Sequence, residues 1–200
     1  MSVFNPTSGR VRSDRATRMA DPRAAIIATY AEWTAMSALR SSAPIRSRND
    51  VYRALRAVNF KVLFDTGLGP ISRGSFDEWH EDSVRLMLLR EPRLTVGWAT
   101  KILNVYLKTR AYVAAEGRRN LMDMIHPPID AGLWLGLSKQ FAGQPEILAM
   151  TNCVSRIKGI VDYDCYRRIV DGCLAAAALL GCKLIEVEQL WTGTEFSQSS

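Results

Sequence analysis

Apolar residues recur every three or four positions along most of this chain, and the strict alternation typical of β-strands is absent. This spacing places apolar side chains on one face of a helix, so the pattern predicts an all-α fold. An apolar content of 48% over 200 residues is enough for one sizeable core. We therefore expect a single compact helical domain over residues 21–193, between a flexible basic arm at 1–20 and a polar tail at 194–200.

Capping residues mark where the predicted helices begin and end. The expected starts are Asp21-Pro22, Asn49 or Asp50, Ser75, Pro145, and Asp162 or Asp164. Ser75 has Glu78 three positions later, which is the spacing of a capping box. Gly181 is the expected end of the last long helix, because glycine readily adopts the left-handed conformation found there.

The most apolar stretch runs from Val96 to Ala115 and predicts a helix that is buried on most sides. Lys101, Asn104 and Lys108 form a polar stripe within it, because their spacing of three and four places them on one face. A buried ammonium group must be paired with a partner or used in chemistry. Lys101 is therefore a candidate functional group.

A carboxylate at the start of the next helix is the natural partner for such a lysine. Pro127 and Pro128 force an extended backbone, and Asp130 then opens an apolar helix that contains Trp134. We expect Lys101 and Asp130 to converge at the rim of a cleft. This pair is the centre of the functional prediction.

The chain before this lysine predicts a helix-hairpin-helix. A helix beginning at Ser75 must stop before Pro92, and the next begins about five residues later, so residues 75–142 would contain both the hairpin and the active-site segment. A short link of this kind can offer backbone amides and a helix N-terminus to a phosphate group.

The charge balance favours an anionic partner. Lysine and arginine number 26 against 20 aspartates and glutamates, which gives a formal net charge of +6, and the first twenty residues carry several arginines.

No run of eighteen apolar residues and no secretory signal is present, so we expect a cytoplasmic protein without a membrane partner. The four cysteines form no CxxC pair, so free thiols are expected and a metal site is not.

Two segments, Gly97-Trp-Ala-Thr-Lys101 and Pro128-Ile-Asp130-Ala-Gly-Leu-Trp134, resemble the helix-hairpin-helix DNA glycosylases, most closely the 8-oxoguanine DNA glycosylase group. In that family a glycine hairpin leads into a helix with a nucleophilic lysine, and a later segment supplies an essential carboxylate. The resemblance implies that Lys101 is the nucleophile and Asp130 the carboxylate.

What the resemblance implies is a DNA glycosylase that flips a damaged or modified base out of the duplex, with or without AP lyase activity, in repair or anti-phage defence. DNA would be the partner, no cofactor would be needed, and a monomer is expected. The candidate DNA- or substrate-binding residues are Gly97, Trp98, Asn104, Lys108, Arg118, Arg119, His126 and Trp134.

Other interpretations of the same residues stay open at this point. Lys101 and Asp130 can form a structural ion pair that closes the core, and the basic residues would suffice for a non-enzymatic nucleic-acid-binding protein. A third possibility is an RNA-cleaving protein that uses His126 with Arg118 or Arg119.

Overall fold

A computed structural model describes residues 21–39 and 42–192, and most of these are helical. The α-helices are α1 (Pro22–Ser37), α2 (Arg48–Leu55), α3 (Lys61–Phe64), α4 (Arg73–Arg90), α5 (Val96–Leu107), α6 (Leu121–Met124), α7 (Ala131–Gln140), α8 (Pro145–Thr151) and α9 (Tyr163–Leu180). No strand occurs within the described residues, which confirms the all-α prediction. The predicted arm and tail lie outside these residues.

Three segments of other helix types complete the helical part of the described chain. A π-helical stretch, Lys108–Val113, continues α5, and 3-10 helices occupy Ile157–Gly159 and Leu184–Leu190. None of the helices in the described ranges is both long enough and apolar enough to cross a bilayer.

Several predicted caps are confirmed. The Asp21 side chain accepts a hydrogen bond from the Arg23 backbone N–H, with Pro22 in the first turn of α1. Asp162 caps α9 by accepting from the Cys165 N–H at 2.7 Å. Gly181 ends α9 in the left-handed conformation with φ of 64°.

Other predicted boundaries are wrong. Helix α2 is capped by Ser47 and not by the predicted Asn49 or Asp50, and it ends at Leu55, where the chain turns. The turn carries Phe60 against the Tyr106 ring, with centroids 4.5 Å apart. Helix α4 begins after Ser72, whose hydroxyl accepts from the backbone N–H of Ser75, so Ser75 lies inside the first turn and is not the cap.

Helix α5 forms the centre of the fold. Every residue from Val96 to Leu107 is buried, and α1, α4, α9 and the 3-10 helix Ile157–Gly159 pack around it. Gly97 permits the closest of these approaches, because a Cβ atom there would lie 2.1 Å from the Ile157 carbonyl oxygen. Polar side chains of α5 must therefore find partners on neighbouring elements.

Candidate functional site

The lysine and aspartate singled out in the sequence meet in the structure. Nζ of Lys101, in the middle of α5, lies 3.1 Å from Oδ2 of Asp130, the residue that caps α7. The Lys101 side chain is 5% exposed and that of Asp130 is 21% exposed, so the pair is shielded but reachable from solvent through the carboxylate.

The two oxygens of Asp130 have different partners. Oδ1 accepts hydrogen bonds from the backbone N–H groups of Gly132 and Leu133 and from the indole N–H of Trp191 at 2.9 Å. Oδ2 contacts the Lys101 ammonium. Capping of α7 thus fixes one oxygen and turns the other toward the amine.

The pair lies between two adjoining hollows, both lined by Lys101, Asp130 and Trp191. One, of about 380 Å³, also has Trp98, Leu135 and Ile157 in its lining, and we call it the Trp98 hollow. The other, of about 330 Å³, also has Trp33, Val105, Lys108, Pro128 and Glu188, and we call it the Trp33 hollow. Both are at the small end of the range, about 300–1,000 Å³, of ligand pockets in proteins.

Two tryptophans give the Trp33 hollow its aromatic surface. Trp33 on α1 is 51% exposed and stacks on Tyr30, with ring centroids 5.6 Å apart. Trp191 is 36% exposed and packs directly on Gly132, where a Cβ atom would lie 2.4 Å from the indole nitrogen. Large aromatic faces that remain open to solvent beside a cleft are suited to stacking against a planar ligand.

A second ion pair lines the Trp33 hollow. Nζ of Lys108 lies 2.7 Å from Oε1 of Glu188, which belongs to the 3-10 helix Leu184–Leu190. Burial raises the pKa of Glu188, while the positive charge of Lys108 acts in the opposite direction. The hollow therefore combines two ammonium groups, two carboxylates and aromatic walls.

Other predicted site residues lie near the pair but are packed. Trp98 is 3% exposed and lines the Trp98 hollow, with its ring centroid 5.7 Å from Nζ of Lys101. The N–H of Gly97 donates to the carbonyl of Ile160 at 3.1 Å, so this backbone amide in the first turn of α5 is already bonded within the protein.

Asn104 and His126 belong to a buried hydrogen-bond network away from the hollows. Asn104 is fully buried: its amide donates to the Pro127 carbonyl and the Tyr166 hydroxyl, and its oxygen lies 2.8 Å from Nε2 of His80. His126 is 2% exposed, with Nδ1 3.0 Å from the Tyr166 hydroxyl. Neither residue lines either hollow. His126 is also too buried to be the accessible base that the RNA-cleaving interpretation requires.

Three further predicted residues also lie elsewhere. Trp134 is buried and its indole N–H donates to the Thr151 carbonyl at 2.7 Å. Arg118 donates to backbone carbonyls of the loop before α4, including that of Pro70 at 2.7 Å, so it holds that loop. Arg119 is exposed, and it does not line either hollow.

The described part of the chain contains no group of three metal-ligating side chains suited to a metal ion. The four cysteines are free thiols, although the sulfurs of Cys153 and Cys165 lie 3.8 Å apart. Comparison with protein-family models, curated proteins and solved structures gives no match. Function is therefore inferred from the two hollows around Lys101 and Asp130, which together form one cleft.

Among the charged and aromatic side chains that line the two hollows, three were not predicted from the sequence: Trp33, Glu188 and Trp191. Trp33 comes from the first helix, and the other two from the last helical segment and the residue after it. The sequence signal for these residues was weak. Trp191 lies next to a polar tail, so it has no apolar helix of its own in which to pack.

Proposed function

We propose that this protein is a DNA glycosylase that removes a damaged or modified base, with Lys101 as nucleophile and Asp130 as the essential carboxylate. The observation that supports this best is the 3.1 Å approach of the amine to the acid between two hollows with tryptophan walls. A glycosylase needs such a combination, because the reacting sugar and the flipped base must be held at the same time.

The Trp33 hollow is the proposed site for the base. A base that leaves the duplex loses its stacking partners, and the exposed faces of Trp33 and Trp191 would replace them. Lys108 would donate to an acceptor on the base edge, and Glu188 would accept from an N–H group. These polar groups would distinguish one base from another.

The proposed reaction takes place at C1′ of the flipped nucleotide. The lone pair of Nζ forms a bond to C1′ as the bond from C1′ to the base nitrogen breaks, and the base leaves with that electron pair and acquires a proton. Positive charge that develops on the sugar is stabilised by the Asp130 carboxylate. Opening of the sugar ring then gives a Schiff base, which water hydrolyses or which proceeds to strand cleavage.

Lys101 attacks only as a free amine, so its proton must leave first. Oδ2 of Asp130, which lies within hydrogen-bonding distance, accepts this proton and then passes it to the departing base, so that Asp130 is again a charged carboxylate as positive charge develops on the sugar. Because Oδ1 is held by three donors, transfer of the proton to Oδ2 leaves the cap of α7 in place.

The proposal is tested by incubating the protein with duplexes that each carry one modified base and adding borohydride, which reduces a Schiff base to a stable adduct. We expect a covalent protein–DNA adduct with at least one duplex, and complete loss of the adduct in Lys101→Gln. Lys139→Gln is the matched control, because Lys139 is an exposed lysine on α7. That variant should give the wild-type yield.

Asp130→Asn separates the capping role of Asp130 from the role of its charge, since asparagine also caps helices but carries no charge. We expect folded protein with base release slowed about 100-fold or more. Base release without any adduct would indicate a hydrolytic enzyme in which Asp130 activates water. DNA binding without base release from any duplex would favour the non-enzymatic nucleic-acid-binding alternative, in which the ion pair is structural.

A further inference from the structure

A third hollow, of about 550 Å³, lies between α2 and the end of α4 and has no residue in common with the Lys101–Asp130 cleft. Its lining residues are Asn49, Tyr52, Arg53, Arg56, Ala57 and Arg90. We call it the arginine hollow. It is lined by three arginines and no acidic residue.

Nearby carboxylates neutralise only part of this charge. Asp50 pairs with Arg53 at 2.8 Å and with Arg93 at 2.7 Å. Glu91 pairs with the same two arginines, at 2.5 Å and 2.6 Å. The Arg93 guanidinium holds the pKa of Glu91 at about 2, so this acid is ionised at neutral pH. Two carboxylates thus pair with two guanidinium groups.

Arg56 and Arg90 lie outside that arrangement. Both are exposed, and neither forms an ion pair with a carboxylate of residues 21–39 or 42–192. Their guanidinium groups approach the hollow from two different helices, α2's C-terminal turn and the end of α4. The hollow therefore carries net positive charge that internal ion pairs do not compensate.

Neutral donors accompany the arginines. Asn49 is among the lining residues, and its side-chain amide can donate hydrogen bonds. Tyr52 is 7% exposed, and its buried hydroxyl makes no hydrogen bond to any described residue. A buried hydroxyl without a partner is uncommon in folded proteins, and here it leaves an unused donor on a residue that lines the arginine hollow.

We infer that the arginine hollow binds a phosphate group of a nucleic-acid backbone, at a contact separate from the cleft. Planar guanidinium groups bind phosphate oxygens through paired charge-assisted hydrogen bonds. A net charge of +6 favours a polyanion over a single free ion. The choice of DNA as the polyanion rests on the proposed function, whereas the phosphate chemistry does not.

The test compares Arg56→Gln/Arg90→Gln with Arg85→Gln/Arg168→Gln, which removes the same charge from exposed positions on α4 and α9. Affinity for an unmodified duplex is measured over a range of salt concentrations. Each phosphate contact contributes about 0.9 to the slope of log affinity against log salt concentration. We expect the first variant to lose about one unit of slope and the control to keep the wild-type slope.

Equal slopes in the two variants would overturn the inference. Inorganic phosphate, titrated into the same proteins, distinguishes the source of the group. Arginine-dependent binding of inorganic phosphate without any change in DNA affinity would also overturn it, because the hollow would then be a site for the free ion.

Base release, measured on the same variants, separates this inference from the glycosylase proposal. A selective loss of slope in a protein that releases no base would support the phosphate site and contradict the glycosylase. Base release together with equal salt slopes in the two variants would support the glycosylase and contradict the phosphate site.

Discussion

At the scale of single residues, Asp130 has both a structural and a chemical role because its two oxygens are separated by their partners. Oδ1 receives three N–H donors, including the Trp191 indole, and Oδ2 faces Lys101. A carboxylate held in this way cannot rotate without uncapping α7. The aspartate is therefore oriented before any ligand enters the cleft, which reduces the cost of reorganisation during a reaction.

A double-mutant cycle measures how strongly the two charges interact. We expect Asp130→Asn to destabilise the protein, because the buried Lys101 ammonium loses its charged partner, and Lys101→Met to leave Asp130 with its three N–H donors. The double variant should be less destabilised than the sum of the singles, by about 0.5–3 kcal/mol. Urea unfolding at pH 7 gives these free energies. Strict additivity would show that solvent already screens the pair.

The spacing argument placed Lys101, Asn104 and Lys108 on one helix face, but of the three only the two lysines line the Trp33 hollow. Seven residues correspond to about 20° less than two full turns of an α-helix, so Lys101 and Lys108 reach the same hollow. Three residues fall about 60° short of one turn, and on a helix buried on all sides that offset turns Asn104 toward His80 and Tyr166. A shared polar face therefore did not mean a shared cleft.

The residues that complete the cleft could not be predicted because they are distant in sequence. Trp33 and Glu188 are brought to Lys108 by the packing of α1 and of the last 3-10 helix, and neither follows a motif. Lys101 and Asp130 were predictable because a helix interior and a helix cap impose local constraints that the sequence displays. The cleft beyond them depends on tertiary contacts.

At the scale of elements, the C-terminal segment is held against α7 by close backbone contact. Gly132 lies under the Trp191 indole, and a Cβ atom at Gly136 would lie 1.7 Å from the Leu190 carbonyl oxygen. Since this segment carries both Glu188 and Trp191, the glycines of α7 determine where one side of the cleft lies. Gly136 is thus a positioning residue for the site.

Gly136→Ala should displace this segment, because a backbone carbonyl cannot move away as a flexible side chain can. We expect a loss of about 1–3 kcal/mol in the free energy of unfolding, with faster amide hydrogen exchange over residues 184–192. Gly74→Ala is the control, since Gly74 lies in α4 and a Cβ atom there meets nothing within 4 Å. That change should be neutral or stabilising. Equal stability of the two variants would contradict the packing argument.

The helices that an aspartate side chain caps were predicted to start at the right residue, whereas α2 and α4, which Ser47 and Ser72 cap, were not. Asp21, Asp130 and Asp162 bond the first backbone N–H groups of their helices. Ser72 and Ser75 have the same side chain within one turn, so the choice between them depends on the path of the preceding loop. Asn120 holds that loop from a distance, donating to the Ile71 carbonyl.

At the scale of the whole molecule, one buried polar network joins the elements that place the cleft. His80 on α4, Asn104 on α5, His126 before Pro127, and Tyr166 on α9 are linked by hydrogen bonds of 2.8–3.0 Å. The amide of Asn104 also bonds the Pro127 carbonyl, three residues before Asp130. The network therefore fixes the extended segment that leads to the carboxylate.

This network makes the stability of the fold sensitive to acid. Burial lowers the pKa of His80 well below its ordinary value of about 6.5, and the neighbouring His126 lowers it further. Burial also lowers the pKa of His126, although Asp77, 3.1 Å from Nε2, opposes the shift. In the unfolded chain both imidazoles take up protons near pH 6.5, whereas in the folded protein they stay neutral to lower pH. The stability that the two neutral histidines contribute is therefore fully present above about pH 6.5 and is lost as the pH falls from there toward the folded pKa values.

Urea unfolding between pH 7.5 and 5.5 measures this loss, and His126→Gln removes one of the two titrations. Each imidazole contributes up to about 1.4 kcal/mol per pH unit, so the variant should lose stability more gradually with falling pH than the wild type. Carboxylates do not obscure the comparison: the lowered pKa of Glu91, about 2, reduces stability only below its ordinary value near pH 4.5. The raised pKa of Glu188 favours the folded state on acidification, which is the opposite sign. Identical pH dependence in the two proteins would show that His126 is protonated as readily in the folded state as in the unfolded state, and the network would then place Asp130 without making the fold acid-sensitive.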